Sequence, residues 1–442
     1  MAKQTKRWMK LDNAAKIYPA SQSRKWMALF RLSAVLTEPV DPSVLQEALQ
    51  RTLHRFPSFS QRLRSGVFWN YFEQLDGTPE IQKDVMNPCM RMRFRENGGF
   101  MFRVRYYGKR IAVEFFHVLT DGTGGFCFLK TLVAEYLTQR YGVVIPRSSD
   151  ILDCTQNASA EELEDGYLKH ARYVPRSRKE ASAYCIPGKR VRDFMFITTG
   201  ILDAKAVAEA ARRYHATVTE FLVAALILSV DPIQRSQVFS EKKLKPVKIC
   251  VPVNLRKYYG SNTMRNFASY INPGIEPRYG EYDFAETVRL VHGQMAVETN
   301  EKLLNAKFST NVLSEQNLFL RIAPWFLKKQ AMKLVFKFKG DRQSSTTISN
   351  LGAAALPPEM GKYVSRMDFM LGPLSRNRVA CACLSYRGRL IINFTRTIRN
   401  SAVERNFFTM LVKMGLHVKV ESNLQRLQQN GAEEELSERS GL

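Results

Sequence analysis

The most constraining feature of this chain is a histidine at a predicted strand end, followed by an aspartate and a cluster of glycines. His117 follows an apolar β-type run, residues 110–116, and precedes a helix-type pattern over residues 126–141. Asp121 comes four residues after the histidine, and three of the next four residues are glycine. We expect these glycines to let the chain bend sharply before the helix. Because imidazole titrates near neutrality, His117 is a candidate general base.

Asp121 lies too close to His117 in the sequence to be the remote carboxylate of a catalytic triad. A carboxylate that is buried needs a counter-charge and hydrogen-bond donors. We therefore predict that Asp121 is a structural residue, buried and paired with an arginine, that fixes the loop orienting the His117 ring.

The pattern His117-x-x-x-Asp121-Gly122 resembles the HxxxDG signature of the chloramphenicol acetyltransferase-like superfamily. That superfamily includes plant alcohol acyltransferases, wax ester synthases, alcohol acetyltransferases and condensation domains of nonribosomal peptide synthetases. The resemblance implies that His117 is the catalytic base, Asp121 the structural aspartate and Gly122 the turn glycine. Many condensation domains have a second histidine where this chain has Phe116. The single histidine and the start Trp-x-x-Leu11-Asp-Asn-Ala-Ala-Lys together look most like the bacterial alcohol acetyltransferases.

The resemblance also implies a fold class. It predicts an α/β (α+β) protein of two chloramphenicol acetyltransferase-like subdomains, with mixed sheets, flanking helices and an interdomain tunnel. A chain of 442 residues has room for two domains that each bury a core. We place the N-terminal subdomain at residues 1–146 and a polar linker at 147–192. The C-terminal subdomain follows at 193–423, and a flexible tail at 424–442.

Local patterns predict the elements that surround these sites. Apolar alternation and turn signals predict strands, and apolar spacing of three and four residues with capping residues predicts helices. The strands are expected at 26–36, 67–73, 101–107, 110–116, 194–198, 247–253, 346–352, 379–386 and 390–395. The helices are expected at 41–54, 203–214, 217–230, 283–306 and 318–337, with a last one capped by Ser401.

Two stretches of the second half also look like segments that flank the superfamily's substrate tunnel. Asn254-Leu-Arg256 follows a predicted buried strand, with Asn266 downstream, and Ser349-Asn350 ends a strand rich in hydroxyl residues. Donors at the Ser349-Asn350 stretch could hold the carbonyl oxygen of a substrate as charge develops on it. The alternatives remain open, because an arginine after a strand is more often salt-bridged or on the surface. A polar strand end before a turn fits the second stretch equally well.

The net charge of +25, from 66 basic and 41 acidic residues, favours an anionic partner. Nucleic acid, anionic lipid and a phosphorylated co-substrate all fit this charge. The basic residues are spread along the chain without a nucleic-acid-binding signature, so we expect no nucleic-acid partner. Aromatic and lysine residues alternate over 318–337, which is compatible with a peripheral membrane contact. Packing of one face on the core is the commoner outcome for such a helix.

Several classes of protein are disfavoured by missing patterns. There is no run of about 18 apolar residues and no apolar signal core after the basic start, so we expect a cytoplasmic protein without a membrane span. Seven scattered cysteines predict reduced core thiols rather than disulfides or a metal site. The sequence also lacks a Gly-x-Ser-x-Gly elbow, zinc-ligand pairs and a phosphate-binding loop.

The resemblance therefore implies an acyl-CoA-dependent acyltransferase that transfers an acyl group, in the first instance acetyl, to an alcohol. His117 would act as general base without an acyl-enzyme, and acyl-CoA would be a co-substrate rather than a bound cofactor. The acceptor would be a small-molecule alcohol or amine. Two alternatives remain, namely a freestanding condensation-type domain that uses the thioester of an acyl carrier protein, and a non-catalytic relative.

Overall fold

The structure, a computed structural model, describes residues 8–22, 26–172, 180–316, 322–339 and 342–424. The strands are β1 (Trp8–Lys10), β2 (Leu29–Leu36), β3 (Gln61–Ser65), β4 (Asn70–Gln74), β5 (Gln82–Lys83), β6 (Phe102–Tyr107), β7 (Arg110–Phe116), β8 (Phe196–Asp203), β9 (Val247–Asn254), β10 (Ala268–Ile271), β11 (Gly274–Ile275), β12 (Thr346–Ala353), β13 (Val364–Leu371), β14 (Val379–Tyr386), β15 (Arg389–Arg396) and β16 (Lys419–Ser422). The helices are α1 (Ile17–Ser21), α2 (Pro42–Arg55), α3 (Gly122–Tyr141), α4 (Ala160–Leu163), α5 (Gly166–His170), α6 (Ala204–Arg213), α7 (Val218–Arg235), α8 (Arg256–Tyr259), α9 (Phe284–Glu298), α10 (Glu301–Gln316), α11 (Trp325–Lys339), α12 (Pro358–Gly361) and α13 (Ala402–Lys413).

A five-stranded sheet in the order β13-β2-β7-β6-β5 carries the histidine at the end of β7. One face of this sheet is aromatic, because alternate residues of β6 and β7 are apolar. Phe102 and Phe115 of that face meet Phe128 of α3 with ring centroids 5.4 and 5.7 Å apart, and Phe59 lies 5.0 Å from Phe128. This fully buried cluster fixes α3 on the sheet, and with it the turn that follows His117.

Two helices begin at the capping residues that the sequence predicts. The Asp41 side chain accepts hydrogen bonds from the backbone N–H groups of Ser43 and Val44 at the start of α2. Thr217 and Glu220 form the predicted capping box at the start of α7. Because such caps satisfy N–H groups that the helix leaves unpaired, they fix the first turn of each helix.

The second large sheet has the order β10-β9-β12-β14-β15-β8-β16, with β11 paired to β9. Its strand β12 runs parallel to both β9 and β14, and the other pairs of the sheet are antiparallel. Strand β13, which belongs to the second half of the chain, pairs instead with β2 of the first sheet, with Asp368 opposite Ser33. The two halves are therefore interlaced, and the sheets do not divide the chain at a single point.

Several predicted elements need correction. The strand predicted at 67–73 begins only at β4, because residues 66–69 form a turn in which the Gly66 N–H donates to the Trp69 carbonyl at 2.9 Å. The helix predicted at 283–306 is two helices, α9 and α10. Ser401 does not cap α13 with its side chain; the Asn400 side chain accepts from the Ala402 N–H at 2.9 Å instead.

The helix predicted over 318–337 is in part α11, which begins after Pro324; residues 318–321 lie outside the described residues. Its Lys328 is 5% exposed, with the ammonium 3.9 Å from the Trp69 ring centroid. Phe326 and Leu327, by contrast, are 66% and 53% exposed. Part of this helix packs on the protein, and a peripheral membrane contact stays a prediction. The tail predicted at 424–442 also lies outside the described residues, apart from its first residue.

In the described segments, no helix is by itself long and apolar enough to cross a membrane. One sharply bent pair, α6 with α7, passes the same test by length and composition alone.

Candidate active site

His117 is held where β7 ends. Its backbone N–H donates to the Ala28 carbonyl at 2.9 Å, which continues the pairing of β7 with β2. The ring stacks on Tyr18 of α1 with centroids 4.8 Å apart and meets the edge of Phe30 at 5.2 Å. The residue is largely buried and keeps only part of its surface exposed. Aromatic packing therefore fixes the plane of the imidazole while leaving it within reach of a substrate.

The Nδ1 atom of His117 lies 3.0 Å from the side-chain oxygen of Asn266. The amide nitrogen of Asn266 donates to Asp12 Oδ2 at 3.3 Å and to the Val118 carbonyl at 3.5 Å, so its oxygen faces the imidazole. An amide oxygen can only accept, so the proton of the neutral ring lies on Nδ1. This leaves the lone pair on Nε2, the tautomer that a general base at this atom requires.

Burial lowers the pKa of His117 below its ordinary value. The charge of Asp121, the backbone carbonyl of His117 and the Asn266 side chain act in the opposite direction without outweighing the burial. The ring is therefore predominantly neutral at pH 7, and Nε2 is available to take a proton.

Asp121 is buried and ion-paired, as the sequence predicted. Its Oδ2 lies 2.8 Å from Arg256 Nη1 and accepts a hydrogen bond from the Phe267 N–H at 2.9 Å. Its Oδ1 accepts from the N–H groups of Thr123 and Gly124 at 3.1 and 3.2 Å, which caps α3. Burial raises the pKa of Asp121, but Arg256 and these hydrogen bonds together bring that pKa below its ordinary value. The carboxylate is therefore ionised at neutral pH.

Arg256 is a partner of this loop, which is the salt-bridged alternative that the sequence left open. Besides Asp121, its guanidinium donates to the carbonyls of Thr263 at 2.8 Å and Arg265 at 2.5 Å. Asn254 has a similar structural position. Its side-chain oxygen accepts from the Arg256 N–H at 3.1 Å, and its amide donates to Thr123 Oγ1 at 3.3 Å. Both residues of the predicted Asn254-Leu-Arg256 stretch thus hold the start of α3.

The glycines after Asp121 do not form the bend that the sequence suggested. Gly122, Gly124 and Gly125 lie in the first turn of α3, and none has a positive φ. A Cβ on Gly124 would overlap both the Thr120 hydroxyl and the Met264 carbonyl. A Cβ on Gly122 or Gly125 would lie 3.0 or 2.9 Å from a neighbouring side-chain carbon. Gly124 therefore has no space for a side chain, and a side chain at Gly122 or Gly125 would have to displace a neighbouring one, because other segments approach the helix closely.

The Ser349-Asn350 stretch lies near the start of α3. The next residue, Leu351, approaches Gly122, with its side chain 3.0 Å from where a Cβ on that glycine would lie. The Asn350 amide donates to Thr219 Oγ1 at 3.0 Å, so it already has a partner. Ser349 is a partly exposed residue, and within the described ranges its hydroxyl forms no hydrogen bond. Of the two predicted oxyanion donors, Ser349 is the one left free to meet a substrate.

Sequence reasoning missed the residues that orient the histidine. Asn266 and Asp12 each stand in stretches that resemble the superfamily, but nothing local shows that they meet, 254 positions apart. Asp12 is fully buried, which raises its pKa to about 6 although Arg265 lowers it. Contacts of this kind follow from the tertiary fold.

The described part of the chain contains no group of three or more histidine, cysteine or acidic side chains that could hold a metal ion.

Asp121→Asn should lower both stability and activity. The substitution leaves the buried Arg256 guanidinium without its counter-charge, which costs about 3–5 kcal/mol. Thermal unfolding should show a clear fall in Tm, and the remaining activity should be low because the loop is displaced. Asp153→Asn, at a partly exposed carboxylate that hydrogen-bonds only to Thr155 and Gln156 nearby, is the matched control. A variant with the Tm of the wild type and no activity would instead place Asp121 in the chemistry.

Asn266→Ala should lower kcat by about 100-fold, the cost of misplacing a catalytic group by about 1 Å. KM should change little, because Asn266 faces the imidazole and Asp12. The control is Asn262→Ala on the same loop, where the exposed amide only reaches Glu161 at 3.2 Å. Steady-state kinetics of both variants distinguish a role of Asn266 in positioning His117 from a general effect of removing an amide from this loop. Equal kcat values for the two variants would show that Asn266 does not position the base.

Comparison with solved structures identifies the fold that carries this site. No protein-family model and no curated protein matches the sequence. Solved structures match along nearly the whole chain. TRI101 of F. sporotrichioides complexed with coenzyme A and T-2 superposes with a TM-score of 0.60 at 12% identity, covering 94% of this chain and 100% of that one.

Two other solved structures give the same result. The starter condensation domain of rhizomide synthetase RzmA, as a mutant in complex with C8-CoA and Leu-SNAC, has a TM-score of 0.58 at 15% identity, covering 92% of this chain and 94% of that one. Polyketide synthase associated protein 5 from Mycobacterium tuberculosis has a TM-score of 0.55 at 13% identity, covering 91% and 97%. At these identities the likeness shows the fold. The chain therefore has the two-subdomain α/β fold of the chloramphenicol acetyltransferase-like superfamily, which the motif around His117 predicted.

Proposed function

We propose that this protein is an acyl-CoA-dependent acyltransferase that transfers an acyl group, in the first instance acetyl, to the hydroxyl group of a small alcohol. The observation that carries the proposal is the state of His117. Its Nδ1 is fixed by Asn266 at 3.0 Å, its pKa is lowered by burial, and its Nε2 is left with a lone pair. That is what a general base for a hydroxyl group needs at neutral pH.

The proposed reaction is a direct transfer. Nε2 of His117 takes the proton of the acceptor hydroxyl as its oxygen attacks the thioester carbonyl. A tetrahedral oxyanion forms, the C–S bond breaks as this intermediate collapses, and the imidazolium returns the proton to the leaving thiolate of coenzyme A. The products are an ester and free coenzyme A, and no acyl-enzyme is formed. An amine acceptor would follow the same path and give an amide.

The oxyanion needs a hydrogen-bond donor that is not already used by the protein. Ser349 is a partly exposed residue whose hydroxyl forms no hydrogen bond in the described ranges, whereas the Asn350 amide donates to Thr219. We therefore keep the Ser349 hydroxyl as the proposed donor. The Asn350 side chain is held by Thr219 and accepts from the Gly352 N–H at 2.8 Å, so it fixes the strand end.

Coenzyme A is the proposed carrier of the acyl group. Two of the structural neighbours are complexed with coenzyme A or C8-CoA, and the net charge of +25 would help to attract a polyphosphorylated co-substrate. The cytosol stays the proposed compartment. All seven cysteines are free thiols in the structure, the state expected in a reducing environment.

A condensation-type activity is the second candidate. The starter condensation domain of rhizomide synthetase superposes almost as well as TRI101, with TM-scores of 0.58 and 0.60. The donor would then be the thioester of a carrier protein, and the product an amide or an ester. The base and its orientation would be the same, so the donor distinguishes the two candidates. The third candidate, a non-catalytic relative, would show turnover with neither donor.

His117→Ala should abolish transfer while the protein stays folded and still binds coenzyme A. Loss of a general base alone lowers the rate by about 10²–10⁴-fold. Release of free thiol from acetyl-CoA and from an acetylated carrier protein, over a panel of alcohols and amines, is the measurement. His54→Ala, at an exposed histidine of α2, is the control.

Turnover with acetyl-CoA in the wild type and the control, and none in His117→Ala, is the expected result. Turnover with the carrier protein alone would select the condensation-type activity. Undiminished turnover by His117→Ala would overturn the proposed mechanism for both donors.

The rate should fall in acid with an apparent pKa below the ordinary value for histidine. Only the neutral ring accepts a proton, so kcat/KM should decrease as the pH falls through the lowered pKa of His117 and stay level from there to pH 8. Asp12 has a pKa of about 6 and titrates in a neighbouring range. Because we assign the acid limb of the pH profile to His117, this limb should persist in Asp12→Asn. A limb that disappears in that variant would assign the titration to Asp12.

A further inference from the structure

The second face of the five-stranded sheet is charged, in contrast to the aromatic face. Arg103 of β6, Glu114 of β7 and Arg31 of β2 are neighbours across three strands. Glu114 accepts from both guanidinium groups, at 2.7 and 2.9 Å, and Arg31 also pairs with Asp84. Arg105 lies on the same face, two residues beyond Arg103. Arg31 and Arg103 thus take both carboxylates, and Arg105 lies beside them on the same face.

Arg105 is the arginine that these carboxylates do not reach. It is 7% exposed, and among the described residues no carboxylate lies within ion-pair distance of it. Its Nε and Nη1 atoms are buried without an acceptor, and Nη2 reaches only Gln82 Oε1 at 3.5 Å. A guanidinium stays charged under these conditions. Burial lowers the pKa of Arg105, and the charges of Glu114 and Asp84 act on it only from a distance without offsetting that burial. The buried guanidinium is therefore unfavourable unless an anion comes closer.

A cavity of about 210 Å³ adjoins this side chain. Arg91, Arg93, Arg103 and Arg105 contribute to its wall, and in the described part of the chain one carboxylate, that of Glu96, lines it with them. Glu96 is already engaged by Arg93 at 2.9 Å. Arg103 is paired with Glu114, so Arg91 and Arg105 are the two arginines of the wall that have no ion pair among the described residues. The volume has room for a phosphate group with a few water molecules, each of which takes about 30 Å³ in the liquid.

We propose that this cavity is a binding site for a phosphate group, either free inorganic phosphate or the phosphate of a larger molecule. A dianion would neutralise the buried Arg105 and at the same time meet the exposed Arg91 and Arg93. Guanidinium groups bind phosphate oxygens with paired, charge-assisted hydrogen bonds, which favours phosphate over a smaller anion.

The phosphate site is separate from the proposed catalytic centre. Arg105 lies opposite Ala112 of β7 in the sheet, and Ala112 is five positions before His117 along that strand. At about 3.3–3.4 Å per residue this is roughly 17 Å along the strand. The site therefore does not depend on the proposed function, and His117→Ala should retain phosphate binding.

Thermal unfolding in potassium phosphate and in potassium chloride of equal ionic strength tests the proposal. The Tm of the wild type should rise in phosphate by at least about 2 °C. Arg105→Met should lose this rise without a lower Tm in chloride, because the variant removes an uncompensated buried charge. Arg95→Met, at an exposed arginine of the same loop outside the cavity wall, should keep the rise.

Isothermal titration with inorganic phosphate gives a second measurement on variants whose folding is not in question. Combined Arg91→Ala and Arg93→Ala substitutions, both at exposed positions, should weaken binding about tenfold or more. Titration with coenzyme A and with dephospho-coenzyme A identifies the source. If the protein binds coenzyme A more tightly than dephospho-coenzyme A, and Arg105→Met abolishes that difference, the site binds a phosphate of the acyl donor. If the protein binds the two compounds equally, the ligand of the site is inorganic phosphate. An unchanged Tm of the wild type in phosphate, or a full response in Arg105→Met, would overturn the proposal.

Discussion

The ion pair between Asp121 and Arg256 connects the two halves of the chain, and the geometry of the histidine depends on it. The partners are 135 residues apart in the sequence, and each side chain is at most 10% exposed. A buried pair of this kind is favourable only if the remaining donors and acceptors are also satisfied. Here the second carboxylate oxygen caps α3, and the rest of the guanidinium donates to the carbonyls of Thr263 and Arg265. The loop after His117 is therefore held by a network rather than by one contact.

The same network explains the glycines of α3. Arg256 brings the segment around Met264 against the first turn of the helix, and Thr120 donates to the Met264 carbonyl at 2.6 Å. Gly124 lies between these two groups, where a side chain has no space. The glycine is thus a consequence of the close approach of two halves. A glycine in a helix costs about 0.5–1 kcal/mol relative to alanine, which the buried network has to offset.

Local patterns predicted the elements because capping residues and apolar spacing act over a few positions. They also predicted that Asp121 would be buried and paired, since an acid in an apolar turn has few other solutions. The partner could not be identified, and Arg256 was expected near the substrate. Strand β13 was missed because Arg366 and Asp368, which hydrogen-bond to each other at 2.9 Å, interrupt its apolar alternation. Asn266 was noticed, yet its contact with His117 depends on how the second half folds over the first.

The orientation of His117 through an amide has a consequence for its acidity. A carboxylate in direct contact with an imidazole raises the imidazole pKa by stabilising the cation. Here the carboxylate of Asp12 is separated from the ring by the neutral side chain of Asn266, and the charge of Asp121 is compensated by Arg256. Burial is therefore the dominant influence, and it lowers the pKa of His117. The arrangement fixes the tautomer as a carboxylate would, while it keeps the ring neutral and able to accept a proton at neutral pH.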